Sequence, residues 1–259
     1  PDLAKRAAEL GMPAVGITDH GNMHGAYEMY TNCVANGVKP IIGIEAYVTP
    51  ETARQDKSRV HWGTEAQRRD DVSGGGLITH LTMWAENDEG LVNLIKASSV
   101  ANLEGRVMRY PRMDKEVLAT YSKGVIASSG CPSGIIQTRL RLGQFDEALR
   151  AAGEFQDIFG KDNFFIELMD HGLPIETQVT GDLLTIAKKL NAPLLATNDS
   201  HYVHAEDAQA QDAMLCINSG SRLDDPDRFK FDGTGYYIKT AEEMRELFKD
   251  HPDACDNTL

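Results

Sequence analysis

The sequence predicts an α/β domain in which parallel strands are joined by crossover helices, and three observations carry that reading. Six short runs rich in Val and Ile alternate with longer segments of helical periodicity. The chain has 259 residues, 41% of them hydrophobic, which is enough for a packed domain of barrel size and too apolar for disorder. The order opens on a helix and then repeats strand-helix units, so the strand that feeds the first helix is expected upstream of Pro1.

Taken in order, Asp2 caps a predicted helix over residues 3–10, and the first strand follows at 14–18. A helix over 23–35 leads to a strand at 40–48. Strand 77–83 precedes a helix over 90–101, and strand 124–129 precedes helices over 133–142 and 145–159. Strand 164–168 is followed by a helix over 175–190, and strand 193–197 by one over 205–217. Between the second and third strands lies a long polar connection, 49–76, with five Lys/Arg, five Asp/Glu and the tract Ser73-Gly-Gly-Gly76. It reads either as a lid over the strand ends or as a plain insertion. Residues 228–239 alternate around Asp232-Gly233 and predict a hairpin, followed by a helix over 241–249 with Thr240 and Glu243 as its capping box. The expected division is a main domain over 1–221 and a connecting hairpin and helix over 222–259, with both ends reading as cuts in a longer protein.

Composition excludes several functions. There is no run of about 18 apolar residues and no apolar stretch after Pro1, which argues against a membrane partner and an export signal. Cys33, Cys131, Cys216 and Cys255 form no CxxC pair, so a disulfide framework is not expected and a reducing cytoplasm is. A net charge of −13 argues against a free-standing domain that grips nucleic acid by neutralising phosphates.

Placing the metal-ligating residue types on this map gives a pattern. His20 follows the first strand, Glu45 sits late in the second and His80 lies in the third. Cys131 follows the fourth, and Asp199 and His201 follow the sixth. Parallel strands bring such ends to one rim, so residues scattered over the chain converge. Imidazole and thiolate favour Zn-, Fe- or Mn-like ions, whereas carboxylates bridge two cations and hold a shared hydroxide. Metal-assisted phosphoester hydrolysis follows, with Glu45 and Asp199 as catalytic carboxylates acting through the metals. Singly, each residue also has an ordinary reading: a surface His at a turn for His20, a core histidine for His80, a small buried residue for Cys131 and a turn for Asp199 and His201. A lone Glu45 among Ile42, Ile44 and Tyr47 is costly without a partner. Arg139, on a helix, and His171, at the end of a strand, are candidates for contacting a substrate phosphate.

These positions fall in motifs that resemble the polymerase and histidinol phosphatase (PHP) family. The motifs are Thr18-Asp-His-Gly-Asn-Met23, Gly43-Ile-Glu-Ala-Tyr47, Thr79-His-Leu-Thr82, Gly130-Cys-Pro-Ser-Gly134, Gln137-Thr-Arg-Leu-Arg-Leu-Gly143, Glu167-Leu-Met-Asp-His-Gly172 and Ala196-Thr-Asn-Asp-Ser-His-Tyr202. Within it they are most similar to the PHP domains of bacterial replicative DNA polymerase III alpha subunits. The resemblance implies a distorted, TIM-like (β/α)7 barrel whose first strand is missing here. It also implies up to three metal ions on nine ligands: His20, Glu45, His80, Cys131, Asp199 and His201 are six of these, Glu45 bridges, and three more precede Pro1. Two to three divalent ions (Zn, Mn or Fe) are the implied cofactors, with Mg reserved for a polymerase site outside this chain. The implied activity is 3′-5′ proofreading exonuclease within a DNA-directed DNA polymerase, acting on a primer terminus delivered by the rest of the protein and beside other replisome subunits. The alternative is a catalytically silent domain that braces the polymerase and docks partners. The isolated chain, short of three ligands, is expected to hydrolyse little or nothing.

Overall fold

A computed structural model describes residues 1–67 and 75–259. Its centre is a curled sheet of mixed strands flanked by helices. The strands are β1 (Ala14–His20), β2 (Lys39–Val48), β3 (Thr79–Ala85), β4 (Arg112–Met113), β5 (Val125–Ser128), β6 (Phe164–Leu168) and β7 (Leu194–Ala196). The path runs β1-β2-β3-β5-β6-β7, with the short β4 beside β2. The helices are α1 (Asp2–Glu9), α2 (Ala26–Ala35), α3 (Asp88–Glu104), α4 (Lys115–Thr120), α5 (Ile135–Arg141), α6 (Phe145–Phe159), α7 (Pro174–Leu190), α8 (Ala208–Ser219), α9 (Ala241–Leu247) and α10 (Pro252–Asp256).

The six expected strands and their intervening helices are present, but the all-parallel sheet is not. β1 and β2 run parallel, as do β5, β6 and β7, whereas β3 is antiparallel to both β2 and β5. The reason lies in the connection. A parallel return needs a crossover, usually a helix, and no α-helix lies among the described residues between Val48 and Thr79. The chain therefore re-enters the sheet from the rim it left.

The described part of that connection is pinned down. The fully buried Arg112 donates to the carbonyls of Arg54 (2.7 Å), Asp56 (2.6 Å), Gly105 (3.1 Å) and Leu77 (3.3 Å). Arg54 in turn pairs with Asp114, Glu104 and Glu116. Ser73 and Gly74 of the Ser-Gly tract lie outside the described residues.

Helix ends follow local chemistry. Asn87 accepts from Gly90 N at the start of α3, Asp114 from Val117 N at the start of α4, and Thr240 and Glu243 close the expected capping box on α9. α7 opens on Pro174 and ends on a left-handed Asn191. The main core lies between the sheet and α3, α5, α6 and α7, with Phe155, Phe164, Ile166 and Ile186 almost fully buried. A smaller cluster from Ala4, Ala7, Met29, Cys33 and Val38 packs α1 and α2 onto β1.

The predicted hairpin over 228–239 does not form; no strand is assigned there. Its second arm bonds elsewhere. The Tyr236 carbonyl accepts from His201 N (2.8 Å), Ile238 N donates to the Val203 carbonyl (3.2 Å), and the Asn198 side chain donates to the carbonyls of Gly235 and Tyr237. The segment is thus laced to the loop after β7. A domain boundary at 221/222 falls between that loop and the residues that pack on it.

Candidate metal centre

The sheet register assembles the first part of the site. His20, the last residue of β1, lies beside Glu45 of β2, and Tyr47 lies opposite His80 of β3. Residues two apart on a strand share a face, so Glu45 and Tyr47 point the same way. His80 is second in its strand, near the start rather than the end. Because β3 runs backwards, its start shares the rim formed by the ends of β1 and β2. Convergence expected from parallel strands is produced by a reversed one.

Glu45 is the hub. Its Oε1 is 2.5 Å from His80 Nδ1 and accepts from Cys131 Sγ at 3.5 Å, and its Oε2 is 3.3 Å from His20 Nε2. Cys131 Sγ also lies 3.5 Å from His80 Nδ1. One ligand atom each from His20, Glu45 and His80 falls within 4.8 Å of the others. Around a tetrahedral ion with bonds of about 2.0–2.3 Å, ligand atoms stand about 3.3–3.8 Å apart, so three of these four separations already suit a cation. The fourth, His80 to Glu45, is a direct hydrogen bond that a cation would open. The mixture of imidazole, carboxylate and thiol fits a transition-metal-like ion.

Two turns hold these groups in place. At Gly21 the backbone is left-handed (φ 67°), its amide donates to the Glu45 carbonyl at 2.8 Å, and a Cβ there would lie 2.6 Å from the Tyr47 ring. Asp19 accepts from Gly25 N at 2.6 Å, which anchors the turn into α2. The Cys131 loop is tied to β3 by His80 N donating to the Ser133 carbonyl (3.1 Å), and the Gln137 side chain donates to the Gly130 carbonyl.

Asp199 and His201 enter from the loop after β7. The His201 ring lies 6.0 Å from that of His20, and its Nδ1 is 2.7 Å from the Asp199 carbonyl. Asp199 has φ 43°, a left-handed conformation that costs a non-glycine residue about 1–3 kcal/mol and persists only when its surroundings impose it. They do so here. Asn198 is held by Gly235, Tyr237, Lys239 and His171, and Ser200 Oγ donates to the Tyr237 carbonyl.

Electrostatics separates the two carboxylates. Burial pushes Glu45 up, but the hydrogen bond and charge of His80, with His20 and Cys131, outweigh it and hold the carboxyl well below its usual range. Burial pushes Asp199 up, and the Glu45 charge adds to that against His201, His20 and His171. Burial, reinforced by Glu45 and Asp199, also raises the Cys131 thiol. A cation held there would need the thiolate and would displace its proton.

Neither expected phosphate contact is presented to a substrate. The Arg139 guanidinium is committed to Glu51 (2.5 Å) and Gln144 (2.6 Å) and lies 4.1 Å over the Trp62 ring. The His171 side chain is 1% exposed, with Nδ1 at 2.6 Å from Glu176 and Nε2 at 3.0 Å from the Asn198 carbonyl. It braces the Asp199 loop.

The sequence reading missed Glu167 and Glu176. Glu167 is buried beneath the rim, where it accepts from Thr197 at 2.5 Å and from Ser128. Burial pushes it up to about 7, against the hydrogen bonds from Ser128 and Thr197. A carboxylate inside Phe164-Phe-Ile-Glu-Leu168 is the same signal that singled out Glu45.

Fold and cluster together define an α/β domain that gathers side chains able to ligate a metal on one rim of a curled sheet. The chain belongs to the PHP domain family, whose model matches residues 1–171. It is 56% identical over 260 residues to the DNA polymerase III subunit alpha of Mycobacterium tuberculosis, covering 100% of this chain and 22% of that protein. The subunit of Saccharopolyspora erythraea is 56% identical over 265 residues, covering 99% and 22%. That of Borreliella burgdorferi is 39% identical over 258 residues, covering 100% and 21%. The chain thus spans about a fifth of the length of these curated relatives. A solved structure from Bifidobacterium adolescentis, named as a candidate metal-dependent phosphoesterase, matches with TM-score 0.40 and 16% identity over 76% of this chain and 80% of that one.

Proposed function

We propose that this chain is the PHP part of a bacterial replicative DNA polymerase III alpha subunit, and that its rim cluster hydrolyses the 3′-terminal phosphodiester of a DNA primer. The observation that carries this is Glu45, a buried carboxylate in simultaneous contact with His20, His80 and Cys131. His20, Glu45, His80 and Cys131 would hold one part of a set of two to three divalent ions (Zn, Mn or Fe), and Asp199 and His201 another, with Mg at a polymerase site elsewhere. When bound, such ions polarise the phosphodiester and activate a water molecule.

The chain's own residues do the rest. Glu45 turns one oxygen toward His20 and the other toward His80, so its carboxylate could serve more than one ion. Gly21 and Asp19 fix the His20 turn, and the Asn198 and His171 contacts fix Asp199, so the ligands need little rearrangement on binding. His20, the most exposed of the set, lies at the mouth where substrate arrives. DNA is delivered by the remainder of the polymerase, in the cytoplasm with other replisome subunits, which is why an acidic module can act on nucleic acid.

The test is Glu45→Ala and Asp199→Ala in the full-length protein, with 3′-5′ hydrolysis of a labelled primer assayed free of any separate proofreading subunit. Loss of at least about 100-fold is expected for each. Unchanged hydrolysis in both variants overturns the reading. Chelation that lowers the melting temperature of a wild type with no hydrolysis to lose shows a bracing role instead.

A further inference from the structure

A row of aromatic and imidazole rings runs across the mouth of the cluster. Tyr110 meets Tyr47 (5.3 Å), Tyr47 stacks toward His20 (6.5 Å), His20 neighbours His201 (6.0 Å), His201 meets Phe231 edge-on (4.7 Å) and Phe231 meets Phe229 (5.9 Å). The two central rings are proposed ligands; the outer four are not. Phe229 is 62% exposed, a large apolar side chain left in water at the end of the row. Each end carries an exposed cation in a protein of net charge −13: Arg109 lies 5.4 Å over the Tyr110 ring, and Lys230 sits between Phe229 and Phe231 in sequence. The segment bearing the phenylalanines is bonded to the metal-ligand loop through the Tyr236 carbonyl and His201 N.

Exposed aromatics interleaved with basic side chains are the chemistry that recognises single-stranded nucleic acid: rings stack on bases and cations meet phosphates. We propose that this row is a track for a single-stranded nucleic-acid end, with unpaired bases on Phe229 and Phe231 at one flank, Tyr110 and Arg109 at the other, and the scissile phosphodiester between them. The proposal rests on the phosphodiesterase reading of the same site and adds the residues that select a nucleic-acid strand over a small phosphoester. It also gives the acidic chain a local grip that its overall charge hides.

The test uses the full-length protein and a single-stranded oligodeoxynucleotide carrying 5-iodouracil at its 3′-terminal and penultimate positions, irradiated with and without EDTA. Crosslinks mapped by mass spectrometry are expected on Phe229 or Phe231, on Tyr110 or Tyr47, or on both flanks. Phe229→Ala, at an exposed position and with an unchanged melting temperature, is expected to lower crosslinking at this site about tenfold. That factor corresponds to about 1.4 kcal/mol, within the range of one base-aromatic stack. Crosslinks confined to residues outside the row, or a yield unchanged by Phe229→Ala, overturn the proposal. The two readings fail separately: crosslinks on the row without hydrolysis sink the exonuclease reading and leave the track, whereas hydrolysis with crosslinks elsewhere sinks the track alone.

Discussion

At Asp199 a left-handed backbone is held through its flanking residues, Asn198 and Ser200, which are bonded to His171, Gly235, Tyr237 and Lys239. His171 is the pivot: burial pulls its pKa down, but the Glu176 hydrogen bond and charge and the Asn198 carbonyl outweigh it and raise the imidazole's pKa. Glu176→Ala therefore frees the ring, loosens the Asn198 carbonyl and is expected to weaken metal affinity roughly 10- to 100-fold, as titration calorimetry on the full-length protein can measure. Glu167 gives a second prediction. Its carboxyl titrates near 4.3 when unfolded and at about 7 when folded, so the fold favours its protonated form. That contribution is complete below about pH 4.3 and is lost as pH rises through about 7. In chelated protein, Glu167→Gln should thus remove part of the fall in melting temperature between about pH 5 and 8; parallel curves for the two proteins would contradict this. Glu45 was legible because a lone charge in an apolar strand demands a partner. His171 was not, because its burial depends on Glu176, five residues on, and on Tyr236, whose ring stacks 4.1 Å away.

Among the elements, the reversed β3 and the buried Arg112 belong together. A strand entered from the rim needs its incoming chain fixed, and Arg112 does that through four carbonyls. Replacing it with Met strands buried acceptors at about 1–3 kcal/mol each. Arg112→Met is expected to destabilise the domain by roughly 3 kcal/mol or more, read from denaturant midpoints at constant slope. Strand and helix positions were largely legible, since α6 carries a strong helical period and β6 is a short, nearly continuous apolar run. β4, with two residues, and α10, with five, are too short to leave one. The direction of β3 had a signal, the lack of any helical pattern in 49–76. The hairpin failed for a different reason: alternation in 228–239 is satisfied by pairing with the loop after β7, a long-range contact that local pattern does not encode.

For the whole molecule, the proposed ligands come from five strands, so cation binding at the rim would be coupled to folding. Ions that bind only the folded form stabilise it by about 2.7 kcal/mol at a concentration 100 times Kd. Chelation is expected to lower the melting temperature by roughly 5–10 °C, at about 2–4 °C per kcal/mol, and Glu45→Ala to abolish that dependence in differential scanning calorimetry. The negative charge was legible in composition; the row of rings was not, because Tyr110, Tyr47, His20, His201 and Phe231 are brought together only by the fold. The reversed strand has one more consequence. Since β3 ends on the rim opposite the cluster, its exit turn sits with the turns before β5 and β6, where Glu86 N donates to the Gly124 carbonyl at 2.9 Å and Asn163 reaches the Glu86 side chain at 3.5 Å. A dye, an affinity handle or an immobilising linker attached there is on the quiet side of the protein, and the mouth can be watched at work from behind.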